Sequence, residues 1–182
     1  MGQNPGLCLV LYGLSCLLDA LDGHAARRFH QSSRFGAVLD MVTDRCTTIC
    51  LLCYLAQVYP AWTLLFQFLI SLDISSHYIH MYSSLVAGAE SHKRISEKQN
   101  MILRAYYHDN RVLFLFCFGN EAFFMLLYAY HSLAAYSGLL LTLLVLTFPI
   151  CAGKQVISVI QLIGSSKQLA AIDVKERAQA RQ

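Results

Sequence analysis

The sequence predicts an all-α fold, a polytopic membrane helix bundle, and three observations predict it. Of the 182 residues, 56% are hydrophobic and only 14% are charged, less charge than a soluble domain carries. Mean hydropathy is +0.46. The apolar residues gather into runs of roughly 20 or more, the length that crosses a bilayer as a helix. No linker or repeat divides the chain, so residues 1–165 read as one transmembrane domain and 166–182 as a basic cytoplasmic tail.

About five membrane helices follow from the apolar runs. The first covers roughly residues 6–22 and ends on Asp19 and Asp22. The second covers roughly 35–58, carries Asp40 and Asp44 near its start, and is closed by Tyr59-Pro60. The third runs from about 61 to 87, the fourth from about 111 to 131 and the fifth from about 137 to 164. From Ser165 the tail reads as helical, either lying along the membrane interface or ending in water. Basic residues mark alternate connections: Arg27, Arg28 and Arg34, then Lys93, Arg94, Lys98 and Arg104, then Lys167, Lys175, Arg177 and Arg181. The connections near Pro60 and near 131–136 hold no Lys or Arg. Basic loops stay cytoplasmic, so the end of the first helix faces the cytoplasm.

The acids in residues 19–44 carry the chemistry. An ionised side chain at membrane depth costs at least a few kcal/mol, which marks intramembrane acids as functional. Asp19 and Asp22 are three apart and share one helix face, and Asp40 and Asp44 are four apart and share another. Helix caps and surface charges would explain one such acid, but not four in paired helical register. Two helices meeting along these faces would enclose hard cations in oxygen ligands, Mg²⁺ or Mn²⁺. Four carboxylates suffice for one or two ions, and two is the expectation. Arg27 offers a fixed charge and a planar donor array for phosphate oxygens. Gly23 and Gly36, beside the acids, would let a bulky ligand approach the backbone.

Other features are weaker. The net charge of +3 flanks apolar helices and forms no basic face, which excludes nucleic-acid binding and suits an anionic lipid or substrate. The cysteines are Cys8, Cys16, Cys46, Cys50, Cys53, Cys117 and Cys151, all in or beside apolar runs. Their spacing suits no zinc site, so they read as buried thiols acting as small hydrophobes. The N-terminus has neither a myristoylation signal nor the basic region of a signal peptide, so the first apolar run is expected to be retained. Asp73, His77, His80, Glu121 and Lys154 fall in or near the later helices, where they either line a polar cavity or pair across helices.

The fixed residues can be written D-x2-D-G-x2-A-R-x8-G-x3-D-x3-D, filled by Asp19, Asp22, Gly23, Ala26, Arg27, Gly36, Asp40 and Asp44. This pattern resembles the full signature of the CDP-alcohol phosphatidyltransferase family. The resemblance implies that family's membrane-bundle fold, with Asp19, Asp22, Asp40 and Asp44 binding the metal ions and Asp44 also serving as general base. It places Gly23 and Arg27 at CDP-diacylglycerol, lets the nucleotide approach Ala26 and Gly36, and gives Ser33 a lesser part at the diphosphate. The reaction implied is attack by an alcohol on the phosphatidyl phosphorus, with CMP leaving and a phospholipid forming.

Further stretches resemble the eukaryotic members of the family that use myo-inositol: residues 71–77, Glu90-Ser91-His92-Lys93, and residues 157–163. They imply myo-inositol as acceptor, the endoplasmic reticulum membrane and a homodimer. A neutral polyol needs hydrogen-bond partners, for which Asp73, His77 and the 90–94 segment are the candidates. The family usually has about six membrane helices, so with about five legible here its first helix is expected to be absent. Other readings stay open: the same chemistry on serine or glycerol phosphate, an inactive truncated relative, or a transporter whose acids relay ions through the bilayer.

Overall fold

The computed structural model describes residues 4–96 and 109–181, and all its regular structure is helical. The helices are α1 (Pro5–Arg28), α2 (Arg34–Val58), α3 (Thr63–Ser96), α4 (Asn110–Ser132) and α5 (Ser137–Gln179), with single 3₁₀ turns at Pro60–Trp62 and Ala134–Tyr136. Residues 97–108, which include Lys98 and Arg104, lie outside the described part. So do the side chains of the 90–94 segment, a candidate for the inositol contacts.

Capping explains the first three boundaries. Asn4 caps α1 by accepting the Leu7 N–H at 3.4 Å, and Pro5 occupies the first turn, where its missing N–H costs nothing. The C-terminus of α1 closes in a Schellman turn. Gln31 N–H donates to the Ala26 carbonyl at 2.8 Å, and His30 N–H donates to the Arg27 carbonyl at 3.4 Å. His30 takes the left-handed position usually given to Gly, with φ 55°. A β-branched side chain tolerates that region poorly. His30→Ile is therefore expected to lower stability by about 1–2 kcal/mol, and His30→Gly is not. Thermal unfolding of the purified variants in one detergent checks this. Ser33 then caps α2, its Oγ accepting the Gly36 N–H at 2.9 Å. Arg27 and Arg28 end α1, where their charge suits the helix dipole.

The described residues divide into two compact units, one drawn from 1–67 and 121–146, the other from 68–120 and 147–182. The first has an apolar core in which Leu51, Leu52, Leu55, Phe124 and Tyr128 are all at least 98% buried. Tyr54 meets Tyr128 edge-on at 5.4 Å between ring centroids. The Tyr59 hydroxyl donates to the Leu127 carbonyl at 3.0 Å, tying the end of α2 to α4.

The second unit is built differently. Ser76, Ser83, Lys154, Ser158, Gln161 and Ser165 are buried in it. On α5, residues 154, 158, 161, 165 and 168 follow helical spacing and form one polar stripe. His80 of α3 meets Ser165 at 3.2 Å, Gln168 donates to the Ser83 carbonyl at 3.4 Å, and Lys154 Nζ reaches Ser158 Oγ at 3.1 Å. The first two join α3 to α5, whereas Lys154 and Ser158 pair within α5. Small residues and cross-helix hydrogen bonds hold helices together in lipid, where apolar burial supplies no drive. Close approach does the rest: a Cβ on Gly119 would lie 2.5 Å from Ile150 Cγ2, and one on Gly153 would lie 2.8 Å from Phe116 Cε1.

Among the described residues, α1, Arg111–Ser132 and α5 are long and apolar enough to cross a membrane. The other two expected spans, α2 and α3, have 25 and 34 residues. Their hydropathy is lowered by Asp40, Asp44 and Arg45 in one and by Asp73, His77 and His80 in the other. Three such apolar helices in one chain make it a multi-pass membrane protein. The expected fifth helix and helical tail are one element of 43 residues, about twice the length the hydrocarbon core requires. The cysteines depart from expectation. None is in a disulfide, but only Cys151 is buried; Cys46, Cys50, Cys53 and Cys117 are exposed. A thiol is apolar enough to face lipid, so apolar surroundings do not require burial inside the protein.

Candidate active site

The acidic residues come together through the hairpin of α1 and α2 in the first unit. Asp19 and Asp22 lie on the last turns of α1 and Asp40 on the second turn of α2, so the short reversal at 29–33 brings them to one end. One carboxylate oxygen from each of Asp19, Asp22 and Asp40 lies within 4.8 Å of the other two. Ligands of one Mg²⁺, at about 2.1 Å each, stand no more than about 4.2 Å apart. A small rotation of the side chains closes that difference, and three hard oxygen donors match the chemistry of such an ion. Like charges this close repel, so an enclosed cation would be stabilising.

Asp44 stands apart from that set of three. It lies near enough to Asp19 and Asp40 for its charge to bear on both. Its Oδ2 is paired with Arg45 Nη2 at 3.5 Å. The four expected metal ligands are therefore three clustered carboxylates and one neighbour held beside a guanidinium.

The expected phosphate-binding residues surround this cluster. Arg27 acts electrostatically on Asp40. Its guanidinium also lies over Gly23, where an added Cβ would be 3.5 Å from Nη1 and 3.9 Å from Nη2. Those are ordinary contact distances, so packing does not demand a glycine there, although a helix-interior Gly costs roughly 1 kcal/mol relative to Ala. Gly36 is different: its Cβ would press to 3.1 Å on Ser33 Oγ and disturb the cap. Ser33 thus serves α2 with its oxygen lone pair, which leaves its O–H as a donor for a ligand. Ala26 is half-buried on the same helix as Gly23 and Arg27.

Asp73 and His77, on α3 in the second unit, pair with each other. His77 Nδ1 lies 2.8 Å from the Asp73 carbonyl and 3.4 Å from Asp73 Oδ1. With the Asp73 carbonyl and carboxylate beside it, Nδ1 is placed to donate to Asp73. Of the polar residues noted in the later helices, His80 and Lys154 pair with serines of the second unit.

Glu121 belongs to the first unit, where it accepts hydrogen bonds from the Tyr12 hydroxyl and from Thr48 Oγ1. The sequence singled out neither Tyr12 nor Thr48. The signal was their register: Tyr12 is two turns before Asp19, and Thr48 one turn after Asp44.

Comparison with known proteins agrees with this arrangement. The family model described as CDP-alcohol phosphatidyltransferase matches residues 2–149. The CDP-diacylglycerol–inositol 3-phosphatidyltransferase of Homo sapiens is 51% identical over 171 residues, covering 92% of this chain and 80% of that protein. The protein of the same name from Schizosaccharomyces pombe is 46% identical over 201 residues, covering 100% of this chain and 85% of that protein. That from Saccharomyces cerevisiae is 46% identical over 176 residues, covering 96% and 79%. No solved structure matches the chain. With a family match across most of its length and three acids of the motif gathered at one end of a helical hairpin, the chain belongs to the CDP-alcohol phosphatidyltransferase family.

Proposed function

We propose that the chain transfers the phosphatidyl group of CDP-diacylglycerol to myo-inositol, giving phosphatidylinositol and CMP. The observation that carries this is the convergence of Asp19, Asp22 and Asp40 from two helices. The choice of inositol is supported by relatives named for that acceptor at about half identity over most of the chain. Asp19, Asp22, Asp40 and Asp44 would hold two Mg²⁺ or Mn²⁺ ions, Asp44 at the edge of the set. Bound there, the ions supply charge to neutralise the diphosphate and the departing phosphate.

The chain's own residues do the rest. Arg27 binds phosphate oxygens with its planar donors. Gly23, Ala26 and Gly36 keep the helix surface low beneath the nucleotide, and the Ser33 O–H donates to the diphosphate. Asp44, paired with Arg45, takes the proton of the attacking hydroxyl. The new bond joins the inositol oxygen to the phosphatidyl phosphorus. The bond from that phosphorus to the oxygen of CMP breaks, and the electron pair leaves with CMP. Asp73 and His77 are proposed as inositol contacts, because a carboxylate and an imidazole suit the hydroxyls of a neutral polyol.

Residues 1–165 would form the transmembrane catalytic part and 166–182 the basic tail. The alternation of basic connections supports a cytoplasm-facing site. The endoplasmic reticulum and a homodimer complete the proposal.

The test is CMP release by the purified chain with CDP-diacylglycerol, Mn²⁺ and one alcohol at a time. Release with myo-inositol and not with serine or glycerol phosphate is expected. Release with serine but not with inositol overturns the acceptor, and no release with any alcohol overturns the enzyme.

A further inference from the structure

The acid-bearing helices need something to fix their register, and one feature of the first unit does this without being part of the motif. Glu121 sits half-buried on α4 in an apolar stretch, where an ionisable group is costly unless its oxygens are satisfied. Each oxygen has a hydroxyl from a different helix within hydrogen-bonding distance. One accepts the Tyr12 hydroxyl from α1. The other accepts Thr48 Oγ1 from α2 at 3.2 Å. The same Thr48 hydroxyl lies 3.0 Å from the Asp44 carbonyl. Tyr12 is two turns from Asp19, and Thr48 is one turn from Asp44 and two from Asp40. A slide of either helix by one residue would move its acids by about 1.5 Å, which is more than a metal site tolerates.

We infer that Glu121 is a positioning residue for the metal centre, one carboxylate bridging Tyr12 and Thr48 so that the acids of α1 and α2 keep a common register. This rests on the metal-dependent reading of the same site. Glu121 touches neither ion nor substrate in this role. What it supplies is two hydrogen-bonding groups at fixed separation, one accepting from Tyr12 and one meeting Thr48 Oγ1, not a charge and not a proton.

That distinction gives the test. Mn²⁺ binding to the full-length chain is measured directly, by loss of the free-ion electron paramagnetic resonance signal, beside CMP release. Glu121→Leu removes both acceptors and is expected to weaken Mn²⁺ binding roughly 10- to 100-fold, the usual loss when a partner that orients a ligand is removed. Its kcat falls while KM for CDP-diacylglycerol changes little. Glu121→Gln keeps an acceptor for Tyr12 and offers Thr48 Oγ1 a donor in place of an acceptor. It is expected to stay within about threefold of wild type, because no charge is required.

Wild-type Mn²⁺ affinity in Glu121→Leu overturns the inference. A Gln variant as impaired as the Leu variant also overturns it, since the carboxylate would then act chemically. If Glu121→Leu does not fold, the Tyr12→Phe, Thr48→Val double variant decides. Weakened Mn²⁺ binding supports the clamp, and unchanged binding overturns it. A wild-type chain that binds Mn²⁺ but releases no CMP with inositol defeats the proposed activity alone, because the Mn²⁺ measurements still decide the clamp. A wild-type chain that binds no Mn²⁺ defeats both.

Discussion

Asp40→Asn is expected to abolish CMP release while leaving a folded chain. Asp40 contributes the one oxygen that α2 adds to the cluster with Asp19 and Asp22. An amide there keeps the shape but removes one hard anionic ligand and one unit of charge. Stabilisation of a transferring phosphoryl group by an ion is worth several kcal/mol, so turnover should fall by about a thousandfold or more. The ion-free variant should be no less stable than wild type, because three crowded carboxylates repel. What it should lose is the rise in unfolding temperature on adding Mn²⁺. An ion at about a hundred times its dissociation constant adds about 2.7 kcal/mol to the folded state that binds it. Asp44→Asn should part these readouts. It stands outside the set of three, so much of the Mn²⁺-induced stabilisation should survive while turnover is lost. If Asp40→Asn retains both turnover and the Mn²⁺ response, the metal centre is not where it has been placed.

Gly23 offers the second large effect, and it runs in opposite directions for stability and activity. A Cβ there would make only ordinary contact with the Arg27 guanidinium. Gly23→Ala should therefore stabilise α1 by up to about 1 kcal/mol, the helix-propensity difference. The same methyl group occupies the surface over which the nucleotide must pass, so KM for CDP-diacylglycerol should rise. Gly23→Leu should go further, displacing the guanidinium and removing detectable turnover while the chain still folds. Unfolding temperature and CMP release measured on the same preparations settle it. A Gly23→Leu variant with wild-type KM would mean that the glycine serves the helix and not the substrate.

The short-range pattern was the legible part of this molecule. Asp19, Asp22 and Asp40 could be placed together from their spacing alone, because helical periodicity fixes which residues share a face and a short reversal forces the next helix to fold back. The same local logic yielded the five helices found among the described residues. Long-range pairing was not legible. Glu121 is 109 residues from Tyr12 and 73 from Thr48, and nothing in its neighbourhood on α4 announces either partner. Ser33 was expected at a ligand and also turned out to cap a helix, since one hydroxyl can accept and donate at once. The cysteines were expected inside. In a membrane protein an apolar sequence position can equally face outward, so hydrophobicity alone does not separate core from lipid-facing surface.

The serine, histidine and glutamine contacts of the second unit bear on how such a chain is made. During synthesis α3 emerges well before α5, and its His80 then lacks the Ser165 hydroxyl that it meets in the finished fold. An imidazole is costly to expose to hydrocarbon, so α3 has reason to linger in a wet or protein-lined environment until Ser165 has been translated. Biogenesis of this half is thereby coupled to completion of the polypeptide: two helices enter lipid as a bonded pair, and a ribosome stalled before α5 would leave α3 poorly inserted.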